Sequence, residues 1–260
     1  MPQPTKTVTA GAAPALRRAI EVLDLLGSVH EPMAAADIAR ELGIPKSSAH
    51  GLIATMMEYE LVIRGVDGRI RLGPRLMRWA GGFLGQTNLV SEFEHYFAGA
   101  TELDDYTITL TVLEGREVVY IACHNSGQPL GLTFRIGMRL PAPYTATGKA
   151  QLSTISAGEL ERLFAEPKDW PAPLTHLGVG SLEQLSAELD AVRRNGYSID
   201  AGQVREGMVC LGAPIKDHSG RALAGIAVSM IRSEATGPLL EALGERIRCA
   251  ADTLTHRLGN

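Results

Sequence analysis

Apolar positions recur at helical spacing through the first sixty residues. Leu16, Ala19, Ile20, Leu23 and Leu26 fall on one side of a helix running through ALRRAIEVLDLLG. Ile38, Ala39 and Leu42 repeat the pattern in AAADIARELG, which stops at Gly43. In IPKSSAHGLIATMMEYE the inward positions are Ala49, Leu52, Ile53 and Met56, with Pro45 near the first turn and Ser47 and Ser48 as caps. Two short helices separated by the tight turn LGIPK have the layout of a helix-turn-helix. The period then shortens. ELVIR and RIRLG alternate about the turn GVDG, which predicts a β-hairpin with Val62, Ile70 and Leu72 on one face and Arg64, Arg69 and Arg71 on the other.

PRLMRWAGGFLGQTNLV, residues 74–90, reads as a linker helix bent at Gly81-Gly82, with Leu76, Trp79 and Phe83 in an exposed stripe. Beyond it the chain is mixed. TITLTVLEG and REVVYIACH are strands joined at a glycine turn, followed by the further β-rich run LTFRIGMRL. TATGKAQLSTI is helical. Ser156 with Glu159, and Ser181 with Gln184, form capping boxes for the next two helices, the second ending at Gly196. MVCLGAPIKD and RALAGIAVSMI are strands hinged on HSG, and a last helix covers about residues 236–257. The fold class is α+β. It comprises a disordered arm (1–13), a winged helix-turn-helix (14–73), the linker helix (74–90) and a GAF- or PAS-like domain (91–260) built on a central antiparallel sheet.

Charge separates these two parts. Residues 1–85 carry ten Lys/Arg against eight Asp/Glu, a net of +2; the remaining fifteen against twenty-one give −6. A basic head on an acidic body suits a nucleic-acid-binding head. Within that head Lys46, Ser47, Ser48, His50 and Thr55 stand clear of the apolar side of the second helix. They are placed to meet phosphates and base edges, with Arg64, Arg69 and Arg71 on the wing. No run reaches eighteen apolar residues, so no membrane span is expected. Cys123, Cys210 and Cys249 are odd in number and lack C-x-x-C spacing, as expected of reduced thiols in a cytoplasm.

The dipeptide Gly148-Lys149 in PYTATGKAQL invites comparison with a phosphate-binding loop. That loop needs a glycine five residues earlier and Ser or Thr after the lysine; here those positions hold Pro143, which has no N–H, and Ala150. What remains is a helix start bearing Thr145 and Thr147, suited to a small anion or simply capped by a threonine. Lys149 is assigned no contact and is left to solvent. Scattered histidines give no metal site, and no glycine fingerprint follows a strand, so no cofactor is expected. A strand cysteine between Val209 and Leu211 reads as buried and inert, and Ser229 lacks a nucleophile elbow, so no catalytic residue is assigned. The alternative function is a small-molecule enzyme on a GAF-like fold, with the head as an oligomerisation module.

These segments together resemble the IclR family of bacterial transcriptional regulators over about residues 14–257. The head from LRRAIEVLDLLG to GRIRLGPRLM resembles its winged helix-turn-helix. GMRLPAPYTATGKAQL and GYSIDAGQVREGMVCLGAPIKDHSGRALAGIAVSM resemble its two later signatures. The resemblance implies a regulator, dimeric or a dimer of dimers, that binds a pseudo-palindromic DNA operator and senses a small organic acid. Its effector contacts map to Ala146 and Thr147, with Gly148 beside them, and to Asp200, Cys210 and Ser229. Ala227 stands where some members have serine, and Gly51 where many have arginine, which removes a guanidinium able to pair with guanine.

Overall fold

The computed structural model describes residues 13–29, 31–85, 89–99, 103–124, 134–166 and 170–258, with the backbone alone for 81–85. The chain divides into two compact units, Met1–Gln86 and Thr87–Asn260. The arm assigned to residues 1–13 lies, apart from Ala13, outside the described residues. Among the described residues no helix is long and apolar enough to cross a membrane.

The first unit packs three helices, α1 (Pro14–Ser28), α2 (Ala35–Glu41) and α3 (Lys46–Glu58), against a hairpin of β1 (Val62–Arg64) and β2 (Ile70–Leu72). Met33 pairs with Ile70 as a third, one-residue rung. Val22, Leu26, Ile38, Ile53, Met56, Val62 and Ile70 form the core. The inward face of α1 is therefore rotated from the predicted one. Leu16 and Ile20 are 62% and 49% exposed, because only the C-terminal half of α1 lies over the core. Ser47 and Ser48 are not caps. Pro45 occupies the cap position and both serines sit in the first turn of α3.

Helix α4 (Arg75–Gly85) follows the hairpin and continues unbroken through Gly81-Gly82, where a bend was expected. Leu76 is half-buried and Trp79 exposed; the Phe83 side chain lies outside the described residues. The junction is tight. A Cβ on Gly73 would collide with the Glu60 carbonyl, and Glu60 itself adopts φ 55°.

The second unit is a six-stranded antiparallel sheet in the order β5-β4-β3-β8-β7-β6. Its strands are β3 (Thr107–Glu114), β4 (Glu117–His124), β5 (Arg139–Pro141), β6 (Ser198–Asp200), β7 (Met208–Lys216) and β8 (Ala222–Ile231). The run LTFRIGMRL contributes only β5 as strand, and its first two residues, 132 and 133, lie outside the described ones. The remaining helices are α5 (Leu89–Ala98), α6 (Ala146–Leu152), α7 (Ala157–Leu163), α8 (Leu182–Asn195) and α9 (Gly237–Arg257). The Ser156–Glu159 capping box closes as predicted. At α8 only half of the predicted box forms. Ser181 accepts from the Gln184 N–H, but the Gln184 side chain turns to the Gly180 N–H instead.

Alternation divides the sheet into two chemistries. Ile108, Leu110, Leu211, Ala213, Ile226 and Val228 point to one side, and all are buried. The opposite side carries Asp200–Cys210–Ser229–Thr107 in one cross-strand row and Ser198–Gly212–Ala227–Thr109 in the next. Helix α6 lies on this second side at close range. A Cβ on Gly212 would come within 2.9 Å of three Ala146 and Thr147 backbone atoms, and one on Gly225 within 2.8 Å of the Thr147 carbonyl oxygen. Two glycines thus let a fully buried helix rest directly on the strands.

Candidate functional site

A cavity opens where the polar side of the sheet meets the start of α6. It is lined by the predicted residues Ala146, Thr147, Asp200, Cys210 and Ser229, and by Ala227. Together with the solvent at its mouth, the space between the lining atoms is about 280 Å³, yet it is so narrow that about one water molecule fits. Gly148 is the exception among the predicted contacts. Its missing side chain serves packing, since a Cβ there would collide with the Ala142 carbonyl oxygen and lie 2.5 Å from Thr145 Oγ1. The glycine of the Gly-Lys pair is therefore explained without any phosphate.

The hydrogen bonds divide the labour between the two threonines. Thr145 caps α6 by accepting from the Gly148 N–H at 3.0 Å. Thr147 is 1% exposed, and its hydroxyl has no partner among the described residues. A buried hydroxyl left bare is costly and signals a group meant for a water or a ligand. Across the cavity, Ser229 donates to the Cys210 sulfur at 3.2 Å. The Asp200 carboxylate accepts from the Gln203 N–H at 2.5 Å and from the Val204 N–H at 3.4 Å.

Asp200 bears the only formal charge among the lining residues. Burial raises its pKa to about 6, against the opposing pull of the Lys149 charge and of backbone N–H donors from Gln203, Val204 and Gly202. Burial likewise pushes the Cys210 thiol far above its ordinary range, with Asp200 adding to the shift. A protonated thiol held by Ser229 has no nucleophilic character at neutral pH. Tyr120 is raised for the same first reason.

Lys149 corrects the sequence reading. Its side chain is 1% exposed rather than in solvent, and its ammonium donates to Glu188 Oε2 at 2.5 Å and to the Ile199 carbonyl at 2.6 Å.

The remaining wall residues Thr109, Tyr120, Phe134, Thr145, Val204 and Met208 were not assigned from sequence. One signal was present: threonine at every second position of TITLT marks a polar strand face. Tyr120 had none. A bulge shifts the β3–β4 register, so that Thr109 faces Cys123 while Thr111 faces Tyr120. The phenol ring thereby joins the polar side, stacked 5.1 Å from Phe134.

In the first unit Lys46, Ser47, Ser48, His50, Gly51 and Thr55 are all exposed along α3, while Ala49, Ile53 and Met56 are buried. Ser47, His50, Gly51 and also Ala54 share one narrow arc of the helix. The Thr55 hydroxyl is used locally, donating to the Gly51 carbonyl. The wing departs from the predicted division of faces. Register pairs Arg64 with Ile70 and Arg71 with Ile63, so Arg64 shares the inner face and reaches solvent only because it ends its strand. Arg69 is tethered to the Pro32 carbonyl at 3.2 Å, and Arg71 is exposed.

The profile of the bacterial transcriptional regulator IclR C-terminal domain matches residues 82–256, and that of the IclR helix-turn-helix domain matches residues 15–64. The chain belongs to the IclR family. This IclR-family regulator is 53% identical to the Agobacterium tumefaciens repressor BlcR over 95% of its length and 98% of that chain, with a TM-score of 0.63. It is 27% identical over 246 residues to the Escherichia coli HTH-type transcriptional regulator XynR, covering 94% and 96% of the two chains. An IclR homologue of Microbacterium hydrocarbonoxydans, complexed with 4-hydroxybenzoate, shares the fold. It is 23% identical with a TM-score of 0.78, over 94% of this chain and 99% of that one. The family assignment makes the first unit a DNA-binding helix-turn-helix and the second an effector domain, and these relatives are regulators rather than enzymes.

Proposed function

We propose that this IclR-family member is a cytoplasmic repressor that leaves a pseudo-palindromic operator when a small organic acid enters the cavity beside α6. It acts as a dimer or a dimer of dimers. The observation that carries the reading is the bare, buried Thr147 hydroxyl, facing a cavity whose polar groups also include Asp200, Ser229 and Thr109. A carboxylate takes the Thr147 donor. A hydroxyl at the other end of the ligand donates to Asp200, while Phe134, Tyr120 and Met208 supply apolar walls. The 4-hydroxybenzoate held by the Microbacterium homologue has this pair of groups, and the name of the 53% identical relative supports repression.

On the DNA side, Lys46, Ser47, Ser48, His50 and Thr55 of α3 enter the major groove and Arg64, Arg69 and Arg71 of the wing meet the backbone or minor groove. Ligand changes operator affinity to the extent that it binds the two domain arrangements unequally.

Fluorescence anisotropy with a duplex from the gene's own upstream region tests both halves. Binding is expected to exceed that to a scrambled duplex and to weaken steeply with salt. Aliphatic and aromatic hydroxy acids are then titrated into the complex. One of them releases the wild type, while Thr147→Val and Ser229→Ala bind operator normally and need more of that acid. Unchanged acid affinity in both variants refutes the pocket assignment.

A further inference from the structure

Lys149, Glu188 and Gln203 are absent from the cavity lining, yet a ring of hydrogen bonds links them to the segments that carry two of its walls. The Lys149 ammonium on α6 joins Glu188 Oε2 on α8 and the carbonyl of Ile199 on β6. Glu188 Oε1 accepts from Gln203 Nε2 at 2.9 Å. The Gln203 backbone N–H returns to the carboxylate of Asp200, the residue after Ile199. Lys149 stands two residues from Thr147. The ring therefore ties the Thr147 wall to the Asp200 wall, with α8 as the bridge.

We propose that Lys149, Glu188 and Gln203 are positioning residues for the effector site, a clasp that holds the Thr147 wall at a fixed distance from the Asp200 wall. The inference rests on the cavity being the effector site, but its physical content is separate. Burying an ammonium is costly unless every link is made, so the ring has a closed state and an open one with little between. Gln203 is equally committed. Its amide turns Nε2 to the Glu188 carboxylate and leaves Oε1 buried without a partner among the described residues, since a flipped amide would set oxygen against oxygen. The cavity as it stands admits about one water, so an organic acid needs the walls apart. The clasp adds to the cost of parting them, beside the Ser198 hydroxyl that donates to the Ala146 carbonyl and the packing of α6 on Gly212 and Gly225.

Cys210 on the cavity floor reports the opening directly. The full-length protein carrying Cys123→Ser and Cys249→Ser is treated with methyl methanethiosulfonate, which has little access to Cys210, 7% exposed, until the walls separate. Lys149→Met and Gln203→Leu are expected to be labelled at least about tenfold faster than this parent. Leu254→Ala, on the buried face of α9, supplies a control of comparable global destabilisation. If the clasp variants follow the same relation between labelling rate and melting temperature as Leu254→Ala, the proposal is wrong. Should Lys149→Met not fold, Glu188→Ala removes both acceptors at a partly exposed position and is read the same way. Addition of 4-hydroxybenzoate and related acids separates the two readings. Failure of every acid to slow labelling of the parent counts against the effector site, while the rates without acid still decide the clasp.

Discussion

At the level of single residues, two positions carry consequences that can be measured without knowing the ligand. Asp200 has a raised pKa of about 6 in the folded chain, for which burial is the first cause. A raised carboxyl contributes stability that is complete below its unfolded value near 3.9 and is lost as pH rises through about 6. Asp200→Asn removes that loss. Its melting temperature relative to wild type should therefore climb between pH 4 and pH 8, by the equivalent of about 3 kcal/mol. A difference that stays flat with pH would mean that Asp200 is ionised normally. Gly51 is the second position. It lies inside α3, and a Cβ there would meet nothing within 4 Å. Gly51→Ala should stabilise the protein by about 0.5–1 kcal/mol in urea unfolding. The same variant, assayed on operator duplex, tells whether the DNA needs the bare backbone.

Among the elements, α6 is the most constrained. Its seven residues are all buried, and it touches β7 and β8 through Gly212 and Gly225. Gly212→Ala places a methyl group against the Ala146 and Thr147 backbone and should cost about 1–3 kcal/mol. It should also displace Thr147 and weaken the response to acid, which a titration on the DNA complex would register. The helix itself was legible in TATGKAQL because a threonine cap and an apolar run are local signals. The reason for its glycine was not legible, since the Ala142 carbonyl and Thr145 hydroxyl crowd Gly148 only once the 3₁₀ turn Ala142–Tyr144 has formed. The hairpin shows the reverse case. Turn and strands were read correctly, but one partner register decides which arginines face out, and Arg64 shares a face with Val62.

For the whole molecule, the family relation joins a DNA-binding unit to an effector unit in one chain, and any coupling between the two binding equilibria is reciprocal. If acid lowers operator affinity by some factor, operator must lower acid affinity by the same factor. Calorimetry of the acid with free protein and with the protein–operator complex should return ratios equal to those from anisotropy. Unequal ratios would mean that assembly state changes during the titration. Sedimentation at both conditions then distinguishes a dimer from a dimer of dimers.

The two-part α+β architecture, the helix-turn-helix with its wing, the family, and the cavity residues Ala146, Thr147, Asp200, Cys210 and Ser229 were all readable along the chain. Period, caps, turns and motif order carry the architecture and the family, each acting over a few neighbouring residues, and the cavity residues followed from the family resemblance. Other features exist only once distant segments meet. A bulge brought Tyr120 to the polar side, the Thr147 hydroxyl was left bare beside a capping Thr145, and Lys149 was buried against partners thirty-nine and fifty residues away. Lysine alone in a sequence predicts solvent, because desolvating its charge is costly. Only the assembled fold could supply the carboxylate and the carbonyl that offset that cost.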